Sequence, residues 1–342
     1  MSSPPDTGSR SSGDDSMHAS VLLRSGPGEP LHHRRVTRPV PGPDDVLIQV
    51  YAASLDRVDN YIRRGTHGMA VTEPQTPGRD MAGVVAAVGT NVHGFRPGDE
   101  VIALGSRTHA EYALAPYWHT LRKPPEWSYA EAAALPTAGR TAYDAIVNIT
   151  RVQPGERVLV VAASGAVGSF ALQLSSHLGA EVYATAGQDW KRRTACALGA
   201  RAALDHYRAD LADQIRAATG GAEMDVIVDP IGGELWERLL TVLAPGGRIV
   251  TCGVTAGARG SLHLGRLMTR GWHIHGIGRP GRTQIAEHLR GCLDLMVAAD
   301  QRPIVDRTFP LAEATAAHDY LEESDFFGRV VLTNMAEEPS TR

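Results

Sequence analysis

Residues 157–179, RVLVVAASGAVGSFALQLSSHLG, decide the fold of this chain. The apolar run from Val158 to Ala163 is typical of a buried parallel strand, and Phe170 to Leu178 is apolar at helical spacing. Between them the chain turns at Ser164, Gly165, Ala166, Val167 and Gly168. The stretch therefore predicts a strand, a glycine turn and a helix.

The turn follows the pattern Ala163-x-Gly165-x-x-Gly168, which is that of a dinucleotide-binding unit with alanine in the place of the first glycine. Gly165 lets a ligand approach the backbone, and Gly168 lets the helix pack close to the strand. The helix N-terminus then offers free N–H groups to a pyrophosphate. Taken alone, the pattern fits a cofactor site and a purely structural turn equally well.

The end of the next predicted strand, Glu181 to Thr185, bears on the choice of cofactor. NAD-binding units place an acid for the ribose hydroxyls roughly 20 residues after the glycines. Here the strand ends in Thr185, Ala186 and Gly187, and the cations Lys191, Arg192 and Arg193 follow soon after. Cations without a strand-end acid favour the 2′-phosphate of NADPH. The alternative is that they form a solvated helix face.

Length and composition limit the other possibilities. A chain of 342 residues is long enough for two domains, and a net charge of −4 gives no sign of a nucleic-acid or membrane partner. The three cysteines, Cys196, Cys252 and Cys292, lie far apart, which indicates neither a disulfide framework nor a metal knuckle. We expect a cytoplasmic protein.

The remainder of the chain divides into regions of different character. Residues 1–16 are predicted to be a disordered tail. Strand patterns then predominate to about residue 121, at 18–24, 46–53, 82–88, 100–104 and 110–115, with a helix at 56–64. A capping box at Ser128 opens a helix, and another is predicted at 141–148. Alternating strands and helices to residue 299 predict a doubly wound parallel sheet, after which residues 304–333 return to the first domain.

Several motifs occur in an order that resembles one family. They are SLDRVDNYIRRG (54–65), PGRDMAGVVAAVG (77–89), ALPTAGRTAYDAI (134–146) and VDPIGGE (228–234). The chain resembles the medium-chain dehydrogenase/reductase superfamily, in its zinc-free quinone oxidoreductase and enoyl reductase branch. The resemblance implies an α/β chain with a GroES-like β-rich catalytic domain and a Rossmann cofactor domain. We expect these at 17–140 and 141–285, with 286–342 leading back to the catalytic domain.

The resemblance also bears on metal ions. Zinc-dependent relatives use a cysteine where this chain has Asp56, and a His-Glu pair where it has Arg79 and Asp80. An arginine has no lone pair for zinc, so we predict no catalytic zinc. His273 and His275 face one way on a predicted strand, but no third ligand is in view. The prediction for metal is therefore none.

Without a metal, the resemblance implies reduction of a C=C bond conjugated to a carbonyl, as in a quinone, enone or enoyl group. His67 stands where family enoyl reductases often carry a tyrosine proton donor, and Tyr61 matches a family tyrosine that orients substrate. A plain loop position for His67 and plain packing for Tyr61 stay open. Asp56 would repel an enolate unless it pairs with Arg57 or Arg79, or acts as a base.

The cofactor contacts implied by the resemblance extend beyond the turn. Thr141 corresponds to a threonine beside the nicotinamide, and Lys191 and Tyr207 to positions that hold the 2′-phosphate. The segments that line the nicotinamide ribose and ring are Gly253, Val254, Gly276, Ile277 and Gly278. Together with residues 164–168, Thr185 and Gly187, these form the predicted NADPH site.

Two other functions remain open at this stage. The chain could bind NADPH without reductase chemistry, or use the same cleft for alcohol oxidation, elimination or cyclisation, with Asp56 as the base. The first alternative includes a structural, regulatory or RNA-binding role, but the charge balance supplies no basic groove, so we expect a small-molecule partner and neither nucleic acid nor membrane. Relatives often form homodimers, so we expect one here, with the strand at 271–277 as a candidate edge.

Overall fold

A computed structural model of the protein describes residues 15–68, 72–323 and 325–334. Its strands, in chain order, are β1 (Ser16–Leu22), β2 (Leu31–Thr37), β3 (Asp45–Ser54), β4 (Asp80–Val88), β5 (Glu100–Leu104), β6 (Tyr112–Pro116), β7 (Thr120–Arg122), β8 (Arg157–Val160), β9 (Glu181–Thr185), β10 (Ala202–Leu204), β11 (Met224–Asp229), β12 (Leu243–Thr251), β13 (His273–Gly276), β14 (Val305–Pro310) and β15 (Arg329–Thr333).

The α-helices connect and cover these strands. They are α1 (Arg57–Arg64), α2 (Tyr129–Ala134), α3 (Pro136–Tyr143), α4 (Ala166–His177), α5 (Asp189–Ala197), α6 (Leu211–Ala218), α7 (Leu235–Leu240), α8 (Leu264–Arg270), α9 (Arg282–Ala298) and α10 (Ala314–Glu323). A π-helical segment, Asp144–Ile149, continues α3. In the described residues no helix is both long and apolar enough to cross a bilayer.

The cofactor-domain sheet has six parallel strands in the order β10-β9-β8-β11-β12-β13. The chain therefore starts in the middle, at β8, works outward to β10, and then crosses to β11 on the other side. This is the doubly wound order predicted from the sequence. Ligands bind such sheets at the carboxyl ends of the strands where the order reverses, here between β8 and β11.

The second large sheet has the order β14-β15-β3-β4-β5-β7, and β6 pairs with β3. Strand β15 pairs antiparallel with β3, with Val331 opposite Ser54. The last strands of the chain thus join the first domain, as predicted. One core cluster joins both units, since Ala82 and Ile102 of the β-rich domain belong with Phe170 and Val228 of the cofactor domain. The expected boundaries at residues 140 and 285 stay predictions.

The structure corrects several predicted element boundaries. The helix expected to begin at Thr141 begins at Pro136, since proline suits the first helical position. The strand expected to reach Ala163 ends at Val160, and Ala162 has a left-handed φ of 49°. Ser16, assigned to the tail, is the first residue of β1, while residues 1–14 lie outside the described part.

Three elements were not predicted: the three-residue strand β7 and two surface elements, β2 and α8. Strand β2 pairs with β1 along its whole length, yet its middle residues, His33, Arg34 and Arg35, are exposed, so it lacks an apolar alternation. Helix α8 has no buried residue, and it therefore gives only a weak helical pattern. Both elements lie on the surface, where hydrophobic periodicity carries little information.

Candidate active site and cofactor cleft

The turn between β8 and α4 is shaped by close backbone contacts. A Cβ on Gly168 would collide with the carbonyl oxygen of Ala162 and lie 2.8 Å from Ala163 Cα. Gly165 is the N-cap of α4 with φ −78° and ψ 174°, and a Cβ there would meet only the Ala162 oxygen, at 3.3 Å. Gly168 is thus required for helix–strand packing, whereas Gly165 leaves room in front of the helix. Ala166 and Val167 form the first turn of α4, whose N–H groups lack intrahelical partners.

The last residue of β9, Thr185, is hydrogen-bonded to the start of this turn. Thr185 is fully buried; its hydroxyl lies 3.0 Å from the N–H of Ala162 and 3.0 Å from Nδ1 of His206, and its carbonyl accepts from Ala163 N at 2.9 Å. The structure therefore gives Thr185, predicted to bind cofactor, a role in holding the turn in place.

Of the two predicted 2′-phosphate residues, Lys191 lies on α5 and Tyr207 lies in the loop after β10, with its ring beside the end of β9. The ring of Tyr207 covers Gly187 so closely that a Cβ on this glycine would collide with it, while Tyr207 itself is exposed. Lys191 is buried, with its Nζ 5.4 Å from the centre of the Trp190 ring, and burial lowers its pKa. The charges of Asp325 and Asp306 raise this pKa, and that of Arg57, from the catalytic domain, lowers it. Lys191, Arg57 and Tyr207 thus bring two cations and an aromatic ring to this end of the sheet.

The other two cations of this segment are engaged within the protein. Arg192 donates to the carbonyls of Ala186 and Gly187 at 3.1 and 3.0 Å, and Arg193 pairs with Asp189. For Arg193 the solvated-face interpretation is therefore the better one.

The loops after β12 and β13 reach the same edge of the sheet. A Cβ on Gly253 would collide with the carbonyl oxygen of Pro230, so this position needs glycine. Val254 is partly exposed, and Ile277 donates its N–H to Thr251 O at 3.0 Å. Gly276 is exposed and Gly278 has a left-handed φ of 66°. These predicted nicotinamide-side positions lie at the carboxyl ends of β12 and β13, on the β11 side of the turn. Thr141, on α3, is buried.

Two of the three predicted catalytic residues are in contact. The rings of Tyr61 and His67 stack with their centroids 3.8 Å apart and their planes at 22°. The Tyr61 hydroxyl lies 3.4 Å from Oγ1 of Thr255, directly after Val254. His67 has a left-handed φ of 57° and an exposed side chain. Helix α1 thus brings this aromatic pair to the nicotinamide-side loop.

The third, Asp56, has a different partner from those predicted. Its Oδ1 accepts a hydrogen bond from Arg329 Nη1 at 2.5 Å, whereas Arg57 and Arg79 had been expected. Arg329 is fully buried and also bonds to Ser54 and, at 3.1 Å, to Asp80. The pairing joins β15 to the start of α1 across the sheet, so no local sequence pattern could show it.

The acidic groups exceed the buried cation in number. Burial, and then the charge of Asp56, raise the pKa of Asp80 well above its usual range, against the opposing effects of Arg329 and Thr137. The same two causes raise the pKa of Asp59 to about 7, although it accepts from Asp56 N at 2.8 Å. A carboxylate that is left unbalanced in a buried site takes up a proton. The cluster therefore retains a proton near neutral pH.

Sequence reasoning missed three residues of this site. Arg329 and Asp59 belong to the buried cluster, and His109 lies beside it, with burial lowering its pKa to about 4. His109 is consequently neutral and no source of protons at neutral pH. Asp59 lies three residues after Asp56 on one turn of α1, and that spacing was a usable signal.

Two family models match the chain. One, described as "Alcohol dehydrogenase GroES-like domain", matches residues 42–125, and the other, "Zinc-binding dehydrogenase", matches residues 166–296. The pig (Sus scrofa) protein "Quinone oxidoreductase" is 32% identical over 307 residues, which are 87% of this chain and 91% of that protein.

Solved structures resemble the whole architecture. The CurK enoyl reductase superposes with a TM-score of 0.82 at 27% identity, covering 94% of this chain and 99% of its own. A mycobacterial protein solved in complex with NADPH superposes with a TM-score of 0.82 at 28% identity, covering 93% of this chain and 99% of its own.

The residues at the catalytic position do not fit a zinc ion, despite the name of one matching family. Asp56 is bonded to a guanidinium, and the hydroxyl and N–H of Thr137 are both bonded to Asp80. A zinc ion beside Asp56 would compete with Arg329 for the same oxygen. Among the described residues, no three or more His, Cys, Asp or Glu side chains are placed to hold a metal.

Proposed function

Because the chain belongs to the medium-chain dehydrogenase/reductase superfamily and is an oxidoreductase of that family, we propose that it reduces a C=C bond conjugated to a carbonyl. The substrate class is a quinone, an enone or an enoyl group, and no zinc takes part. The observation that carries this proposal is the buried Arg329, whose guanidinium binds Asp56 at the place of the first zinc ligand.

NADPH is the proposed cofactor, and when bound it supplies the hydride. The first turn of α4 and the space before Gly165 fit its pyrophosphate. Lys191 and Tyr207 fit the 2′-phosphate, with the charge of Arg57 close by. The loops at 253–254 and 276–278, with Thr141, fit the nicotinamide end. The mycobacterial structure in complex with NADPH supports this choice by similarity.

The stacked pair of Tyr61 and His67 is proposed to serve the substrate. Tyr61 holds the imidazole against α1, and its hydroxyl points to the nicotinamide-side loop. Histidine can give up a proton near neutral pH, so His67 is the proposed donor to the substrate α carbon. Asp56 is neutralised by Arg329, which removes its repulsion of an enolate and disfavours its use as a base.

The test is NADPH oxidation, with NADH in parallel, across quinones, cyclic enones and enoyl thioesters. We expect turnover of one class, with NADPH preferred. His67→Phe keeps an aromatic ring against Tyr61 but has no exchangeable proton, so its turnover should fall by about a hundredfold. His93→Gln, which removes an exposed histidine elsewhere, is the matched control.

Three outcomes would contradict the proposal in different ways. Tight NADPH binding with no acceptor reduced would favour a binding protein, and oxidation of alcohols alone would favour the dehydrogenase reading. Full activity of His67→Phe would remove His67 as donor while leaving the reaction class in place.

We also propose a cytoplasmic homodimer. Cys196, Cys252 and Cys292 are all free, which suits a reducing compartment. In the part of the chain that the structure describes, β13 is one of the two edge strands of its sheet, and a second copy is its proposed partner. Sedimentation velocity of the full-length protein tests the dimer independently of activity.

A further inference from the structure

Strand β13 carries two histidines that the proposed reaction does not use. His273 and His275 are two residues apart, so their side chains project from one face of the sheet. Their ring centroids are 6.3 Å apart and their planes are within 11° of parallel. Arg248 and Val250 of β12 are their neighbours on the inner side. Two nearly parallel imidazoles therefore stand at the rim of the cofactor-domain sheet.

The outer side of this strand is suited to a second strand. Within residues 15–68, 72–323 and 325–334, β12 is the only strand that pairs with β13. Helix α8, which leads into β13 through Gly271, presents Leu264 and Met268, exposed to 70% and 78% and one helical turn apart. A two-fold axis would place this edge and this apolar pair against identical copies of themselves. A second copy of the chain is thus the occupant that both features fit.

We propose that β13 pairs with β13 of a second copy and that the four histidines then form a binding site for a divalent transition metal such as Zn²⁺. The inference rests on the homodimer proposed above and is independent of the reductase reaction. The metal would lie at the edge of the cofactor-domain sheet, on residues that are not part of the Asp56 cluster. Its role would be to bridge the two copies.

Strand geometry brings the histidines together. When two identical strands pair antiparallel about a two-fold axis, the residue numbers of every opposed pair add up to the same even number. Residues that project from one face of the sheet are therefore opposed to residues that project from that same face. An axis at Ile274 sets each His273 opposite a His275 of the other copy. An axis at His273 or His275 would set only that histidine opposite its own copy and leave the other two histidines four residues apart along the strands, about 14 Å, so the four-histidine site requires the axis at Ile274. Opposite Cβ atoms lie about 4.5–5.5 Å apart, which brings imidazoles within reach of one ion.

The chemistry of the side chains suits such an ion. A single chain supplies only two ligands, whereas two chains supply the four that a closed tetrahedral zinc site requires. Metal binding needs neutral imidazole. The nearby cation Arg248 is itself bonded to Glu156 at 2.6 Å, so its charge is compensated.

The test uses full-length protein freed of metal with EDTA at neutral pH. Sedimentation velocity should give a dimer, and titration with ZnCl₂ should give one zinc ion per two chains. His273→Gln/His275→Gln should abolish this uptake and leave the dimer and NADPH binding intact. His93→Gln/His177→Gln, which also removes two exposed imidazoles, should bind zinc as the wild type does.

A third variant separates the metal from the interface. Leu264→Asp/Met268→Asp should yield monomers that have lost zinc uptake but keep NADPH binding. A dimer that takes up no zinc would overturn the metal site and leave the homodimer standing. A monomeric wild type would overturn both, while the reductase assay would be unaffected. Unchanged uptake in His273→Gln/His275→Gln would place the zinc elsewhere and overturn the proposal.

Discussion

On the cofactor side of the cleft, the turn from β8 to α4 is built from backbone. Its essential contact is the close approach of Gly168 to Ala162, and it carries no charged side chain. On the catalytic side, Asp56, Asp80 and Arg329 are side-chain charges buried almost completely. The first region depends on space and the second on charge balance. A methyl group should therefore damage one, and the loss of a single charge the other.

The largest effect is expected at Arg329. Arg329→Leu leaves Asp56 and Asp80 buried without their cation, and breaking a buried pair in this way costs about 3–5 kcal/mol. Urea unfolding monitored by fluorescence measures this loss. Arg290→Leu, an exposed arginine of α9, is the control and should cost little. A loss below about 1 kcal/mol at Arg329 would show that the cluster protonates freely to compensate.

The glycine turn should respond to volume first and to charge second. Gly168→Ala should destabilise the fold by about 1–3 kcal/mol, since its Cβ meets backbone that cannot move away. Gly165→Ala should change stability by a few tenths of a kcal/mol. Gly165→Asp should keep that stability but weaken NADPH about a hundredfold, through repulsion of the pyrophosphate. Unchanged affinity in a titration of Gly165→Asp would remove the cofactor from this turn.

The 2′-phosphate assignment predicts a smaller and more selective effect. Lys191→Ala should weaken NADPH on the order of tenfold and leave NADH nearly unchanged, because only NADPH carries the extra phosphate. Arg193→Ala removes a neighbouring cation that is paired with Asp189 and should alter neither cofactor. Equal losses for both cofactors at Lys191 would contradict the assignment.

The last effect is confined to one range of pH. Because the pKa of Asp59 is raised to about 7, the folded state holds a proton that the unfolded state releases above about 4. Stability from this group is present at low pH and is lost as pH rises from about 4 to 7, by at most about 1.4 kcal/mol per pH unit. Asp59→Asn should flatten that part of the unfolding profile, with exposed Asp213→Asn as control. An unchanged slope would mean that another acid holds the proton.

Sequence could foresee the first region far better than the second. The glycine turn lies within a few residues, so its spacing is visible in the chain and its doubly wound setting follows. Arg329 is 273 residues from Asp56, and only the pairing of β15 with β3 brings them together. The start of α3 at Pro136 was not predicted, although proline favours the first turn of a helix. The polar strand β2 was not predicted because an exposed strand has no apolar pattern.

The two regions meet at one hydrogen bond, from Gly328 N–H to Ser164 O at 2.9 Å. Gly328 has a φ of 100°, and a Cβ there would collide with the carbonyl oxygen of Ile304, so the link requires glycine. The next residue is Arg329. Anyone who grafts this nucleotide module onto a foreign catalytic domain must therefore transplant the segment at 328–329 as well. The segment that must be transplanted is therefore discontinuous in sequence. A chimera joined only at the domain boundaries would lack the hydrogen bond between Gly328 and Ser164.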